Sequence, residues 1–238
     1  MGCERIRLNS YDPQWFTLGK IHAYRIQEAP FVHIDHDVFL WSSLPSSLMS
    51  AAVLAQNPEP FVVGHSGHYF PHDLEAFIRG QKGWLPDVWI RQPALKGFAR
   101  TAVNCGIFGG NELDIIRNYA DTAFRVLDHP RNVQALSGLE DKAKHMIVLE
   151  QYILGLCMDN YRSLDQQTTY SSAVDYLFDD YKDAFSRGAD AGYTHLIGDS
   201  KNNRSISYKL ARRIACQYPH FFLGVLTARA TAIFVLEL

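Results

Sequence analysis

No C-x-x-C pair, no zinc-type ligand cluster and no long basic block occurs in this sequence. Its four cysteines, Cys3, Cys105, Cys157 and Cys216, are far apart, which argues against a disulfide- or zinc-stapled scaffold and for a reducing, cytoplasmic setting. Lys and Arg (23) nearly balance Asp and Glu (25), for a formal charge of −2. Neither nucleic acid nor an anionic membrane is therefore an expected partner. A charged n-region followed by an apolar h-region is missing from the start, so no secretory signal is expected. "MGCERI" opens like a lipidation site, but Ile6 stands where Ser or Thr is needed. Internal repeats, low-complexity tracts and the GxGxxG dinucleotide fingerprint are absent too.

A clean membrane span is also lacking. "FFLGVLTARATAIFVLEL" is long enough to cross a bilayer, but Arg229 falls in its middle, where a charge costs about 2.5–3.5 kcal/mol. No transmembrane span is expected, and the segment should pack against the domain.

What is present is ample core-forming material. In 238 residues, 47% are hydrophobic and 20% charged, ordinary values for one large soluble domain. The expectation is a single domain over 1–238, with a core at about 15–219 and an apolar tail at 220–238. "FVHIDHDVFL" and "AVNCGIFGG" read as buried strands, and "YTHLIGDSKNN" as a short strand running into a polar loop. "WFTLGKIHAYRIQEA" is helical up to Pro30. "NELDIIRNYADTAFRVLDHP" has Asn111 as N-cap and Pro130 beyond its end. "KAKHMIVLEQYILGLCMD" is a central apolar helix, and "RSISYKLARRIACQYP" an amphipathic one. The stretch from Pro58 to Ala99 reads as a long excursion with a short helix near Leu74–Arg79. Strands alternate with helices, so the class is α/β with a largely parallel sheet.

Four stretches carry chemistry. Asp35 and Asp37 follow a buried strand, and residues two apart on a strand point the same way. Two hard oxygen donors so placed suit Mg²⁺ or Mn²⁺, which can hold a diphosphate; a turn cap is the plainer account. "NCGIFGG" offers glycines for close approach, by a ligand or by another chain segment. "THLIGDSK" sets His195, Gly198 and Lys201 at H-x-x-G-x-x-K spacing, combining a metal donor, room for a phosphate and a point charge to neutralise it. Glu150-Gln151 sit amid apolar residues and need partners if they face inward.

Together "FVHIDHDVFLW", "NCGIFGG", "LEQYIL" and "HLIGDSK" resemble a bacterial family described as a domain of unknown function. Its pattern is similar to GT-A nucleotide-sugar glycosyltransferases, particularly the retaining family-eight type. The resemblance implies a GT-A-like, mostly parallel sheet flanked by helices. It implies Asp35, Asp37 and His195 as ligands of Mn²⁺ or Mg²⁺, with Gly198 and Lys201 on the donor diphosphate. Asn104 and Gly106 match an N-x-G lining the sugar pocket. Gln151 matches the Gln of a D-Q pair near the reacting sugar, with Glu150 in place of the Asp. Lys20 corresponds to a basic residue facing the donor. Two departures stand out. Only about thirty residues precede the D-x-D strand, so the nucleotide-binding βαβ unit looks shortened. Lys201 is followed by Asn202-Asn203 rather than Pro-Trp.

The activity so implied is transfer of a hexose from a nucleotide-diphosphate donor to an acceptor hydroxyl. A degenerate GT-A-like binding protein without catalysis is the alternative. A phosphohydrolase would leave the H-x-x-G-x-x-K loop without a purpose.

Overall fold

The computed structural model describes residues 8–65, 68–164 and 174–220. The chain divides into two compact units, Met1–Thr194 and His195–Leu238. The division falls one residue before the end of a strand, Tyr193–His195.

The first unit is built on a four-stranded sheet in the order β1 (Phe31–Ile34), β4 (Ala99–Gly110), β3 (Val53–Val62), β5 (Asp175–Tyr176). A short second sheet pairs β2 (Val38–Leu40) with β6 (Tyr193–His195). Strands β1 and β4 are neighbours, as the apolar runs suggested, with Ile34 opposite Ile107. The sheet is mixed, however, and not mostly parallel. β4 runs antiparallel to both β1 and β3, and only β3 and β5 pair in parallel. Continuous apolar character is what misled the sequence reading. It reports burial of both faces, which here comes from apolar clusters on either side of an antiparallel strand. Phe108, Val103, Val53 and Ala55 enter the larger cluster. Ile107 and Leu54 enter a smaller one with Val38, Leu48, Phe178 and Tyr193.

The helices are α1 (Leu18–Arg25), α2 (Ser46–Met49), α3 (Pro71–Gly80), α4 (Asp87–Arg91), α5 (Leu113–Asp128), α6 (Pro130–Ser137), α7 (Lys142–Ile147), α8 (Ile153–Leu164) and α9 (Tyr181–Ser186). Helix α1 ends well before Pro30. Helix α5 starts one residue later than expected: Glu112 takes the cap position, while the Asn111 side chain donates to the Met49 and Ala51 carbonyls. Pro130 does not merely follow α5, because it opens α6, where a missing N–H costs nothing.

The excursion predicted from Pro58 begins later, since β3 continues through Pro58 and Pro60 to Val62. A bulge between Ala55 and Asn57 shifts its register. Beyond it, the Val63 N–H points at the Phe98 carbonyl. By alternation, the nitrogens of Pro58 and Pro60 face away from β4, the one side on which a strand proline removes no ladder bond.

Trp84 and Trp89, in the segment between β3 and β4, both make contacts within the chain. Trp89 is fully buried and donates to Glu75. Trp84 stacks on His129 at 4.7 Å, with the Arg125 guanidinium 4.9 Å from its ring.

Helix α8 meets β4 at Gly155, where an added Cβ would lie 2.3 Å from the Thr101 carbonyl oxygen. Propensity alone favours Gly155→Ala by about 0.5–1 kcal/mol, but a backbone oxygen cannot yield without moving the strand. The variant should lose about 1–3 kcal/mol, read as a lower melting temperature. A higher one would mean that helix and strand do not touch there.

Among the described residues, no helix is long and apolar enough to cross a membrane. The apolar tail beyond residue 220 lies outside them. In the second unit, a 3₁₀ turn (Gly198–Asn202) precedes α10 (Arg204–Gln217), capped by the Asn203 side chain, which accepts from the Ser205 and Ile206 N–H groups.

A candidate metal centre and its polar ring

Strand β1 stops at Ile34, and a β-turn closed by the Val38 N–H on the Asp35 carbonyl links it to β2. Asp35 and Asp37 thus stand on a turn and not on the strand itself, which corrects the alternation argument while keeping both carboxylates at the strand's end. His195 ends β6, the partner of β2. One ligand atom from each of Asp35, Asp37 and His195 lies within 4.8 Å of the other two. Two donors bound at 2.0–2.6 Å to one cation stand at most about 5 Å apart, so the three fit a single ion with little movement. Two carboxylate oxygens and an imidazole are a donor set able to take a divalent cation.

Asp35 is oriented from three sides. Its N–H bonds the Gly106 carbonyl at 2.9 Å. His33 Nε2 lies 3.0 Å from Oδ1, and Lys20 Nζ lies 2.6 Å from Oδ1 and 2.9 Å from Oδ2. Burial pushes this carboxyl up, but the His33 hydrogen bond and the Lys20 charge win, and its pKa falls below the ordinary value.

Lys20 comes from α1, whose Leu18, Ile21 and Tyr24 fill the core. Its ammonium also donates to Glu150 Oε1 at 2.7 Å and to the Cys105 carbonyl at 3.1 Å. Three donors thereby meet three acceptor groups. Burial works against the charge. Glu150 and then Cys105 and Asp35 more than offset it, holding the pKa well above the usual lysine range.

Glu150 and Gln151 lie on a π turn (Val148–Tyr152) between α7 and α8, an irregularity common at functional sites. The Tyr119 hydroxyl donates to the Glu150 carbonyl at 2.7 Å. Gln151 does find an inward partner, the Tyr69 hydroxyl, which also bonds Glu59. Burial, followed by Glu59, raises the Tyr69 pKa well above its normal range. The phenol therefore keeps its proton and stands as a donor between Glu59 and the Gln151 amide oxygen. Asn104 completes the circuit: Nδ2 donates to Glu59 Oε1 at 2.6 Å, and Oδ1 accepts from the Gly106 N–H at 2.9 Å.

The result is a closed polar ring, running Asp35–Lys20–Glu150, Gln151–Tyr69–Glu59, and Asn104–Gly106 back to Asp35. It gathers Lys20, Asp35, Asn104, Gly106, Glu150 and Gln151 from the expected site, and Asp37 and His195 join it through Asp35. Glu59, Tyr69 and His33 had not been foreseen. Gly109 and Gly110 serve the chain itself, since a Cβ on either would strike the backbone of Phe31 or Ala52. Gly198 and Lys201 lie on the 3₁₀ turn of the second unit. Gly198 has φ +56 with open space at its Cβ, so backbone conformation, not crowding, calls for glycine there.

Fold and site define an α/β protein with a mixed sheet and an Asp-Asp-His cluster able to take a divalent cation. The chain belongs to a family of unknown function (DUF6734), which matches residues 3–228. No curated protein and no solved structure matches it.

Proposed function

We propose that this protein is a cation-dependent glycosyltransferase, moving a sugar from a nucleotide-diphosphate donor to an acceptor hydroxyl. The observation that carries the proposal is the convergence of Asp35 and Asp37, from one motif, with His195, from a second motif far away in sequence. The polar ring beside them supports it, because it draws together Lys20, Asn104, Gly106, Glu150 and Gln151, the other motif residues of the first unit.

In the reaction, the bond from the anomeric carbon to the diphosphate oxygen breaks and one to the acceptor oxygen forms. The acceptor's proton is released, and the nucleoside diphosphate departs. A cation held by Asp35, Asp37 and His195 would offset the charge developing on that leaving group. Lys20 keeps the Asp35 carboxylate ionised and aimed. Gly198 and Lys201 are the proposed diphosphate contacts, Gln151 and Glu150 face the reacting sugar, and retention of configuration follows from the resemblance alone.

A thermal-shift panel of nucleotide sugars, each with and without Mn²⁺, tests donor and cation together. The expected result is stabilisation by a nucleotide sugar that requires the cation. Binding with no release of nucleoside diphosphate in the presence of acceptor sugars would favour the non-catalytic alternative. No shift with any nucleotide sugar, with or without Mn²⁺, would end the proposal.

A further inference from the structure

Glu59 sits between two prolines on β3, opposite Ala102 of β4. Pro58 and Pro60 fix their own backbone angles, and both carboxylate oxygens are tied. Oε1 accepts from Asn104, which cannot turn away because its own oxygen holds the Gly106 N–H. The other oxygen takes the Tyr69 hydroxyl. Tyr69 is itself buried and stacked on Phe61 at 4.7 Å.

Each carboxylate oxygen has two acceptor positions, so one on each remains after these bonds. Asn104 and Tyr69 are buried, whereas Glu59 is half-buried. Among the described residues, none of the ion pairs involves Glu59; the ring's lysine is spent on Asp35 and Glu150. A rigid carboxylate with spare acceptor capacity and no cation of its own is built to receive hydroxyl protons.

Resting on the glycosyltransferase reading, we infer that Glu59 binds hydroxyls of the transferred sugar and restricts it to neutral sugars, excluding hexuronates. Two physical effects act in the same direction. Hydroxyl donors to an ionised carboxylate make strong, charge-assisted bonds. A second carboxylate on the sugar would meet the unpaired charge of Glu59, since Lys20 is already shared by Asp35 and Glu150. Carboxylates about 4 Å apart at an effective dielectric of about 20 repel enough to cost about a thousandfold in affinity, and about tenfold survives a doubled distance with further screening.

The ring explains why Glu59 would sense the sugar of a donor anchored at the cation. Three hydrogen bonds lead from the Asp35 N–H through Gly106 and Asn104 to Glu59, and Gln151, the proposed neighbour of the reacting sugar, shares Tyr69 with it.

The experiment uses the full chain with Mn²⁺ and calorimetric titration by three probes on the same base. These are UDP, UDP-glucose or UDP-galactose, and UDP-glucuronate, with GDP and GDP-mannose as a second base. Wild type should bind the neutral sugar nucleotide at least about tenfold more tightly than the uronate. Glu59→Gln keeps the shape and removes the charge, and should bring that ratio below about threefold. Equal affinity for neutral and uronate donors in wild type overturns the inference, as does a ratio that Glu59→Gln leaves unchanged. If no nucleoside diphosphate or its sugar binds at all, the glycosyltransferase reading fails, and this one with it. Should Glu59→Gln not fold, Glu59→Ala, which also removes the charge, should narrow the ratio in the same way; an unaltered ratio there counts against Glu59.

Discussion

Lys20→Met should destabilise the protein by about 3–5 kcal/mol, the usual cost of leaving buried charges without their partner, or roughly 6–20 °C in melting temperature for a chain of this size. The lysine side chain is only 16% exposed, and its removal strands Asp35 and Glu150 together. Because the folded-state pKa of Lys20 is raised, its contribution is complete below about pH 10.4 and is lost only as pH climbs through the higher folded value. Asp35 is lowered from 3.8, so its share is present above that value and disappears as pH falls through the depressed one. The gap between wild type and Lys20→Met should therefore be flat from about pH 5 to pH 9 and shrink in acid. Adding Glu150→Gln to the variant should recover part of the loss. Melts that coincide at neutral pH would mean that solvent loosens the cluster.

Asp37→Asn should be read at the cation, because it removes a charge and keeps the side chain's size. With Mn²⁺, affinity by calorimetry should fall by about a hundredfold or more, because a charged ligand is replaced by a neutral one at the same position. His33→Ala leaves the ligands in place but frees the Asp35 carboxylate, and should cost about 10–100-fold. If Mn²⁺ stabilises Asp37→Asn as well as it does wild type, Asp37 is a turn residue and the cluster needs another account.

The adjacency of β1 and β4 was legible because each is a continuous apolar run, and the carboxylates after "FVHI" announced a site at the strand's end. Strand direction was not legible. The segment between Val62 and Ala99 carries helices, like a crossover, yet it returns β4 alongside β3 in the opposite sense. Apolar pattern records which faces are covered and says nothing of which way the chain runs. Glu59 was hidden by its flanking prolines, which made "NPEPF" look like the start of a loop. A proline whose nitrogen faces an unpaired side is no strand breaker, but only the register reveals that side. Gln151 was suspected because a polar residue amid "MIVL" and "YIL" demands a partner. The π turn that aims it has no comparable signature, and Tyr69 came from a segment that looked merely aromatic.

The two prolines have a consequence beyond the position of Glu59. Past the short pairing with β5 at Leu54 and Ala55, the outer side of β3 meets no further strand among the described residues. An unpaired strand side offering N–H groups at every second position is a template on which a foreign strand, or a second copy of the same one, can grow. Here two successive positions on that side, Pro58 and Pro60, have no proton to offer. The half of β3 that carries Glu59 is thereby closed to β-augmentation. The carboxylate can stand at a sheet margin, open to a small ligand, without that margin becoming a seed for fibrils.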